Sequence, residues 1–160
     1  LISSGWEATV DAQKKRESYD EILERLERCF GETTDRIARM AQAAALLFKY
    51  FDDYFWTGFY QLVDGKLTVG PYQGSPTATV LAEHQGVCWA CIDRGELVNV
   101  PNVHEFAGHI RVEGPSNSEI SVPLFDESGE VYGLLHVDAA DYDAFDEIDE
   151  QYLARIGRMF

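Results

Sequence analysis

The run Phe55-Trp56-Thr57-Gly58-Phe59-Tyr60-Gln61-Leu62-Val63, then Asp64-Gly65, then Lys66-Leu67-Thr68-Val69, reads as two strands joined by a tight turn. Aromatic and β-branched side chains suit a pleated, half-buried surface. Asp-Gly between them is a strong hairpin signal, because both turn positions need positive φ. With a period of two, Trp56, Gly58 and Tyr60 face one side and Phe59 the other. Trp56 and Tyr60 then line one wall of a cavity, with Gly58 leaving room between them. Ordinary aromatic core is the competing reading.

N-terminal to this hairpin the period is helical. Ile22, Leu23, Leu26 and Cys29 recur at spacings of three and four, which predicts an amphipathic helix over 19–29. Gly31 to Asp35 interrupts the pattern and offers caps for a second helix. Its apolar face comprises Ile37, Met40, Ala41, Ala44, Leu47, Phe48 and Phe51, the kind of stripe used for core or subunit contact. Residues 1–18 form an N-terminal extension, either helical or poorly ordered.

C-terminal to the hairpin, 77–82 reads as a further strand, and a short helix follows Gly86. A short strand over 97–100 ends at Pro101. Residues 104–117 contain Gly108, Gly114 and Pro115 and no clean period, so they form a long loop, suited to covering a site. Two strands, 119–125 and 130–138, make a second hairpin, and 146–160 closes the chain as an acidic-started helix. The order predicts one α+β domain spanning 1–160, an antiparallel sheet with helices packed on one face and a lid loop over a pocket.

Composition narrows the partners. The 13 basic and 28 acidic side chains give a formal charge of −15, which repels phosphates and disfavours nucleic acid and anionic membranes. The longest apolar stretch, 41–48 interrupted by Gln42, is far short of the ~20 residues that span a bilayer. No basic start precedes an apolar segment, so no signal peptide is expected. Three cysteines, an odd number, point to a reducing compartment, the cytoplasm, rather than a disulfide framework.

Four constellations bear chemistry. Cys88-x2-Cys91-x12-His104-x4-His109 has zinc-finger spacing. A finger, however, needs both histidines on one helix and a basic surface. Here they flank a glycine-containing loop in an acidic chain, so no metal site is expected. Cys88 and Cys91 read alternatively as a redox dithiol, with Cys88 in the first turn of the short helix, where orphan N–H groups favour a thiolate. Small apolar core is the other reading of both cysteines. Ser116-Asn117-Ser118-Glu119 places a carboxylate at a loop-to-strand junction, suited to gripping an ammonium group or simply a solvated turn. His136 and Asp138 share one face of an otherwise apolar strand, where ionisable groups are costly unless used or paired.

Trp56-x-Gly58-Phe59-Tyr60, Gly70-Pro71-Tyr72-Gln73-Gly74, Gly86-Val87-Cys88, Val103-His104-x-Phe106-x-Gly108-His109-Ile110 and Ser116-Asn117-Ser118-Glu119-Ile120 together resemble the free methionine-(R)-sulfoxide reductases. These are stand-alone GAF domains acting on free methionine sulfoxide. The resemblance runs from about Tyr19 to Phe160. It implies that Trp56 and Tyr60 wall the methyl end of a small zwitterionic ligand. It further implies that Glu119 and Asp138 hold the ligand's polar groups, and that the lid carrying His104, His109 and Val112 covers it. It also implies a homodimer, thioredoxin as electron donor, and no cofactor.

Two departures matter. The family's nucleophilic cysteine corresponds to Val112 and its resolving cysteine to Ala78, leaving Cys88 as the third. His136 stands where the family typically has aspartate, removing one negative charge and adding a group that titrates near neutrality, which shifts preference toward a more negatively charged ligand. Three functions follow: a binding module that keeps the pocket without the usual thiol chemistry; a reductase whose chemistry has moved to Cys88 and Cys91; or a different enzyme or structural dimer without a ligand.

Overall fold

The computed structural model describes residues 4–108 and 115–160. Its elements are α1 (Ser4–Glu32), α2 (Arg36–Tyr50), β1 (Tyr54–Val63), β2 (Lys66–Gly74), α3 (Gly86–Arg94), β3 (Val98–Val100), β4 (Ser118–Phe125), β5 (Val131–Ala139) and α4 (Glu147–Gly157). A 3₁₀ turn lies at Val103–Glu105, and residues 109–114, most of the expected lid, lie outside the described residues. The five strands form one antiparallel sheet in the order β2-β1-β5-β4-β3.

The Asp64-Gly65 turn has the anticipated geometry: φ is 51° at Asp64 and 75° at Gly65, and Val63 pairs with Lys66 across it. Positive φ at both positions gives the turn the right-handed twist of the flanking strands. Between Gly58 and Tyr60 the register of β1 against β2 shifts, so Gly58 pairs with Tyr72 while Tyr60 pairs with Val69.

Side-chain alternation divides the sheet into two cores. On one face Phe59, Ile120, Val122, Leu124, Leu135 and Val137 pack under α1, α2 and α4. On the other, Trp56, Tyr60, Leu67 and Leu134 pack with Val87, Cys88, Trp89 and Cys91 of α3. The three long helices thus share one face, and the short α3 covers part of the other. The candidate residues lie on the face that α3 covers.

Three details differ from the sequence reading. Helix α1 begins well before residue 19, which settles residues 4–18 as helical. Lys15 explains the ordering: its Nζ reaches Asp149 at 2.6 Å and Asp146 at 2.9 Å. Residues 77–82 do not form a strand. Val80 makes one isolated bridge to Thr68, and none of the six is fully buried, although Leu81 packs partly on the α3-side core, so little is gained by extending the pairing. On α2 the buried residues are Met40, Ala43, Ala44, Leu46 and Leu47. Ile37 and Phe48, expected on that face, are 65% and 37% exposed.

Asp149 locks the helical layer. Fully buried, it accepts hydrogen bonds from Tyr19 Oη (2.7 Å), Tyr54 Oη (3.1 Å) and Lys15 Nζ (2.6 Å). It also closes a capping box with Asp146 at the start of α4. One carboxylate therefore ties α1, β1 and α4 together.

Candidate functional site

The site is built from cross-strand rows on the α3 side of the sheet. Trp56 pairs with Asp138, and Asp138 with Glu119. In the next row Tyr72 pairs with Gly58, Gly58 with His136, and His136 with Ser121. Directly opposed residues in a sheet point the same way, so these side chains converge.

An aromatic wall forms one side. The Trp56 ring stacks on Tyr60 at 5.5 Å and on Tyr72 at 5.2 Å between centroids. Gly58 permits this: a Cβ there would lie 2.2 Å from Tyr72 Cβ and 2.7 Å from Trp56 Cη2. Trp56 is buried, and its Nε1 has no hydrogen-bond partner. Tyr60 Oη meets Thr77 Oγ1 at 3.0 Å, and burial pushes its phenol up to about 12.

The floor is ionisable. Glu119, His136 and Asp138 are all buried, at 4%, 5% and 4% exposure. His136 Nε2 lies 2.8 Å from Asp138 Oδ1 and 3.8 Å from Glu119 Oε2. The Asp138 contact is an ion-pair distance and helps to hold the charge on His136. Ser116 Oγ donates to Glu119 Oε1 (3.2 Å), and Ser121 Oγ lies 2.7 Å from His136 Nδ1. Burial, with Asp138 alongside, raises the Glu119 carboxyl to about 7 against the pull of His136. Burial opposes a charge on His136, but Cys88 and Asp138 outweigh it and hold the imidazolium well above its usual range.

Cys88 sits in the first turn of α3, as its position after Gly86-Val87 predicts. Its Sγ is 3.9 Å from Ser121 Oγ, beside His136. Cys91, one turn on, is fully buried. Burial and then the neighbouring Cys88 push its thiol up to about 12, so it stays protonated near neutrality. Both are free thiols, as is the half-buried Cys29.

His104 is exposed, with its Nε2 2.9 Å from Asn117 Oδ1, which joins two residues on either side of the undescribed segment. His109 and Val112 lie outside the described residues. Among the described residues, the group of three potential metal ligands is Glu119, His136 and Asp138, not the cysteine–histidine set of finger spacing.

Trp56, Tyr60, Glu119, His136, Asp138 and Cys88 are thus brought together; His104 stands apart from them. Ser121 and Tyr72 were missed. Alternation from Glu119 points to Ser121. Tyr72 was hidden by the bulge, because an unshifted register places Pro71 opposite Gly58.

The profile of the GAF domain matches residues 19–158 of this chain. The chain belongs to the GAF family. Among GAF relatives, GAF domain-containing protein A of Dictyostelium discoideum is 38% identical over 149 residues, covering 92% of both chains. The free methionine-R-sulfoxide reductase of Escherichia coli K12 is 32% identical over 142 residues, covering 89% of this chain and 86% of that one. In three dimensions this GAF domain matches the free methionine-R-sulfoxide reductase of Neisseria meningitidis, solved in complex with its substrate. The TM-score is 0.83 and the identity 34%, over 88% of this chain and 84% of that one. The domain is therefore related to the free methionine-R-sulfoxide reductases. Among its described residues, no helix is long and apolar enough to cross a membrane.

Proposed function

We propose that this GAF domain binds a small, free, amino-acid-like zwitterion between its aromatic wall and its ionisable floor. One observation carries the reading: beside the stacked rings of Trp56, Tyr60 and Tyr72, the carboxylates of Glu119 and Asp138 are both buried. Among the described residues His136, its Nε2 2.8 Å from Asp138 Oδ1, is the one cation beside these two carboxylates, and the remaining negative charge is costly unless a ligand ammonium group offsets it. Glu119, one strand away from Asp138, shares that ammonium group. Trp56 Nε1, buried without a hydrogen-bond partner, donates to an acceptor on the ligand. His136 offsets one of the two carboxylate charges, so the floor also tolerates a ligand carboxylate nearby.

Loss of the usual thiol chemistry fits the residues present: Ala78 and Val112 stand at the positions the resemblance assigns to the resolving and attacking cysteines. Reduced protein is mixed with free L-methionine-(R)-sulfoxide, and both thermal stability and released methionine are measured. A shift in melting temperature with no methionine is the expected result. Neither a shift nor methionine overturns the binding reading.

A second reading has its own observation: Cys88 lies within the site, against Ser121 and beside His136. Here the Cys88 sulfur attacks the sulfoxide sulfur, forming an S–S bond as a proton passes to the oxygen, and the hydroxyl then shifts to the Cys88 sulfur, breaking both the S–O and the S–S bond. Methionine leaves, and Cys88 carries the oxygen as a sulfenic acid. Cys91 then forms a disulfide with release of water, and a thioredoxin-type dithiol restores both thiols. The protonated state of Cys91 disfavours this resolving step. Near-stoichiometric methionine in a single turnover, abolished by Cys88→Ser, is what this mechanism requires.

The exposed apolar stripe Ile37, Ala41, Ala45 and Phe48 on α2 supports a homodimer, with these residues meeting their counterparts. Three free thiols support a reducing, cytoplasmic setting.

A further inference from the structure

Two of the three floor residues, Glu119 and His136, have one side-chain atom tethered and one turned inward. Ser116 Oγ holds Glu119 Oε1, leaving Oε2. Ser121 Oγ lies 2.7 Å from His136 Nδ1, leaving Nε2 as the ring nitrogen that faces the carboxylates. Asp138 Oδ1 is buried and faces that nitrogen. The three inward atoms lie within 4.8 Å of one another, with Nε2 at 2.8 Å from Oδ1 and 3.8 Å from Oε2.

These separations match a coordination sphere. Bonds of ~2.0–2.2 Å to nitrogen and oxygen place neighbouring ligands roughly 3–3.5 Å apart. The two observed distances bracket that range. The tethers have the form of an outer shell that fixes a histidine tautomer and a carboxylate orientation. Electrostatics agrees: Glu119 and Asp138 are directly opposed on neighbouring strands, and like charges so placed destabilise a sheet. A dication between them neutralises both and takes the place of the proton that His136 Nε2 releases on binding it.

We propose that Glu119 Oε2, His136 Nε2 and Asp138 Oδ1 form a mononuclear site for a divalent transition-metal ion, zinc being the best match. Imidazole discriminates against magnesium and calcium, and the absence of a thiolate among the three inward atoms discriminates against softer ions. Three protein ligands leave a coordination position open, as in sites that take up a further ligand. The site does not depend on the zwitterion reading, because the ion takes the place given there to the ligand's ammonium group, and metal alone probes it.

Chelator-stripped protein is titrated with Zn²⁺ in competition with a chromophoric chelator. One equivalent is expected to bind. His136→Asn and Glu119→Gln are each expected to weaken it by at least about 100-fold, and Cys88→Ser to leave it within about threefold. Co²⁺ provides a readout in the unmodified chain: a visible d–d band without a thiolate-to-metal charge-transfer band. The proposal is overturned if no tight equivalent binds, or if that equivalent persists in folded His136→Asn and Glu119→Gln. Should both variants fail to fold, the Co²⁺ spectrum decides: no band, or a thiolate band lost in Cys88→Ser, also overturns it.

Discussion

Ser121 and His136 are directly opposed across β4 and β5, and the Ser121 hydroxyl lies 2.7 Å from His136 Nδ1. That contact sets which ring nitrogen faces Glu119 and Asp138. Ser121→Ala leaves the buried Nδ1–H without an acceptor. A loss of about 1–3 kcal/mol in urea unfolding is expected. Ser121→Thr, which keeps the hydroxyl, is expected to recover most of it.

Gly58 is the hinge of the aromatic wall. Gly58→Ala drives a methyl into Tyr72 Cβ and the Trp56 ring, so the stack must open. The near-UV circular dichroism of the tryptophans is expected to change and ligand-induced thermal stabilisation to disappear, with far-UV signal retained. An unchanged near-UV spectrum contradicts this packing.

Cys91 gives a pH signature. Its pKa in the folded chain, about 12, is above the ordinary 9.0, so folding favours the neutral thiol. The stabilisation is whole below the ordinary value and drains away as pH rises from there toward about 12. Urea unfolding at about pH 8 and about pH 10 is expected to show a drop that is smaller in Cys91→Ala, which has no proton to lose. Equal drops in both proteins contradict the assignment.

Asp149 holds three elements through the hydroxyls of Tyr19 and Tyr54 and the ammonium of Lys15. Asp149→Ala strands these groups and is expected to cost about 3 kcal/mol or more. The double variant Tyr19→Phe with Tyr54→Phe removes the stranded donors along with the bonds and is expected to cost less than the sum of its parts. Strict additivity in chemical denaturation speaks against a shared network.

Ile37 and Phe48 lie four and seven residues from the exposed Ala41 on α2, forming one unpartnered stripe. Ile37→Glu is expected to convert a dimer to a monomer in analytical ultracentrifugation while leaving the fold intact, because the site lies on the opposite face of the sheet. A monomeric unmodified protein refutes the dimer.

Local chemistry along the chain determined a large part of this protein. Asp64-Gly65 specified the first hairpin because positive φ at two adjacent residues selects that turn, and alternation from Phe55 assigned Trp56 and Tyr60 to one face and Phe59 to the other. Gly86-Val87-Cys88 placed Cys88 in a first helical turn, and alternation in β5 put His136 and Asp138 together. Tertiary structure alone decided the rest. Glu119 meets His136 because β4 and β5 pair in one register out of several, and Tyr72 reaches Trp56 because a bulge moved it past Pro71. Asp149 gathers partners from α1 and β1, far away along the chain. Turns and alternation depend on a few adjacent dihedrals, which residue type controls. Register, bulges and buried polar contacts depend on which distant surfaces exclude water from one another, and no short stretch of sequence carries that information.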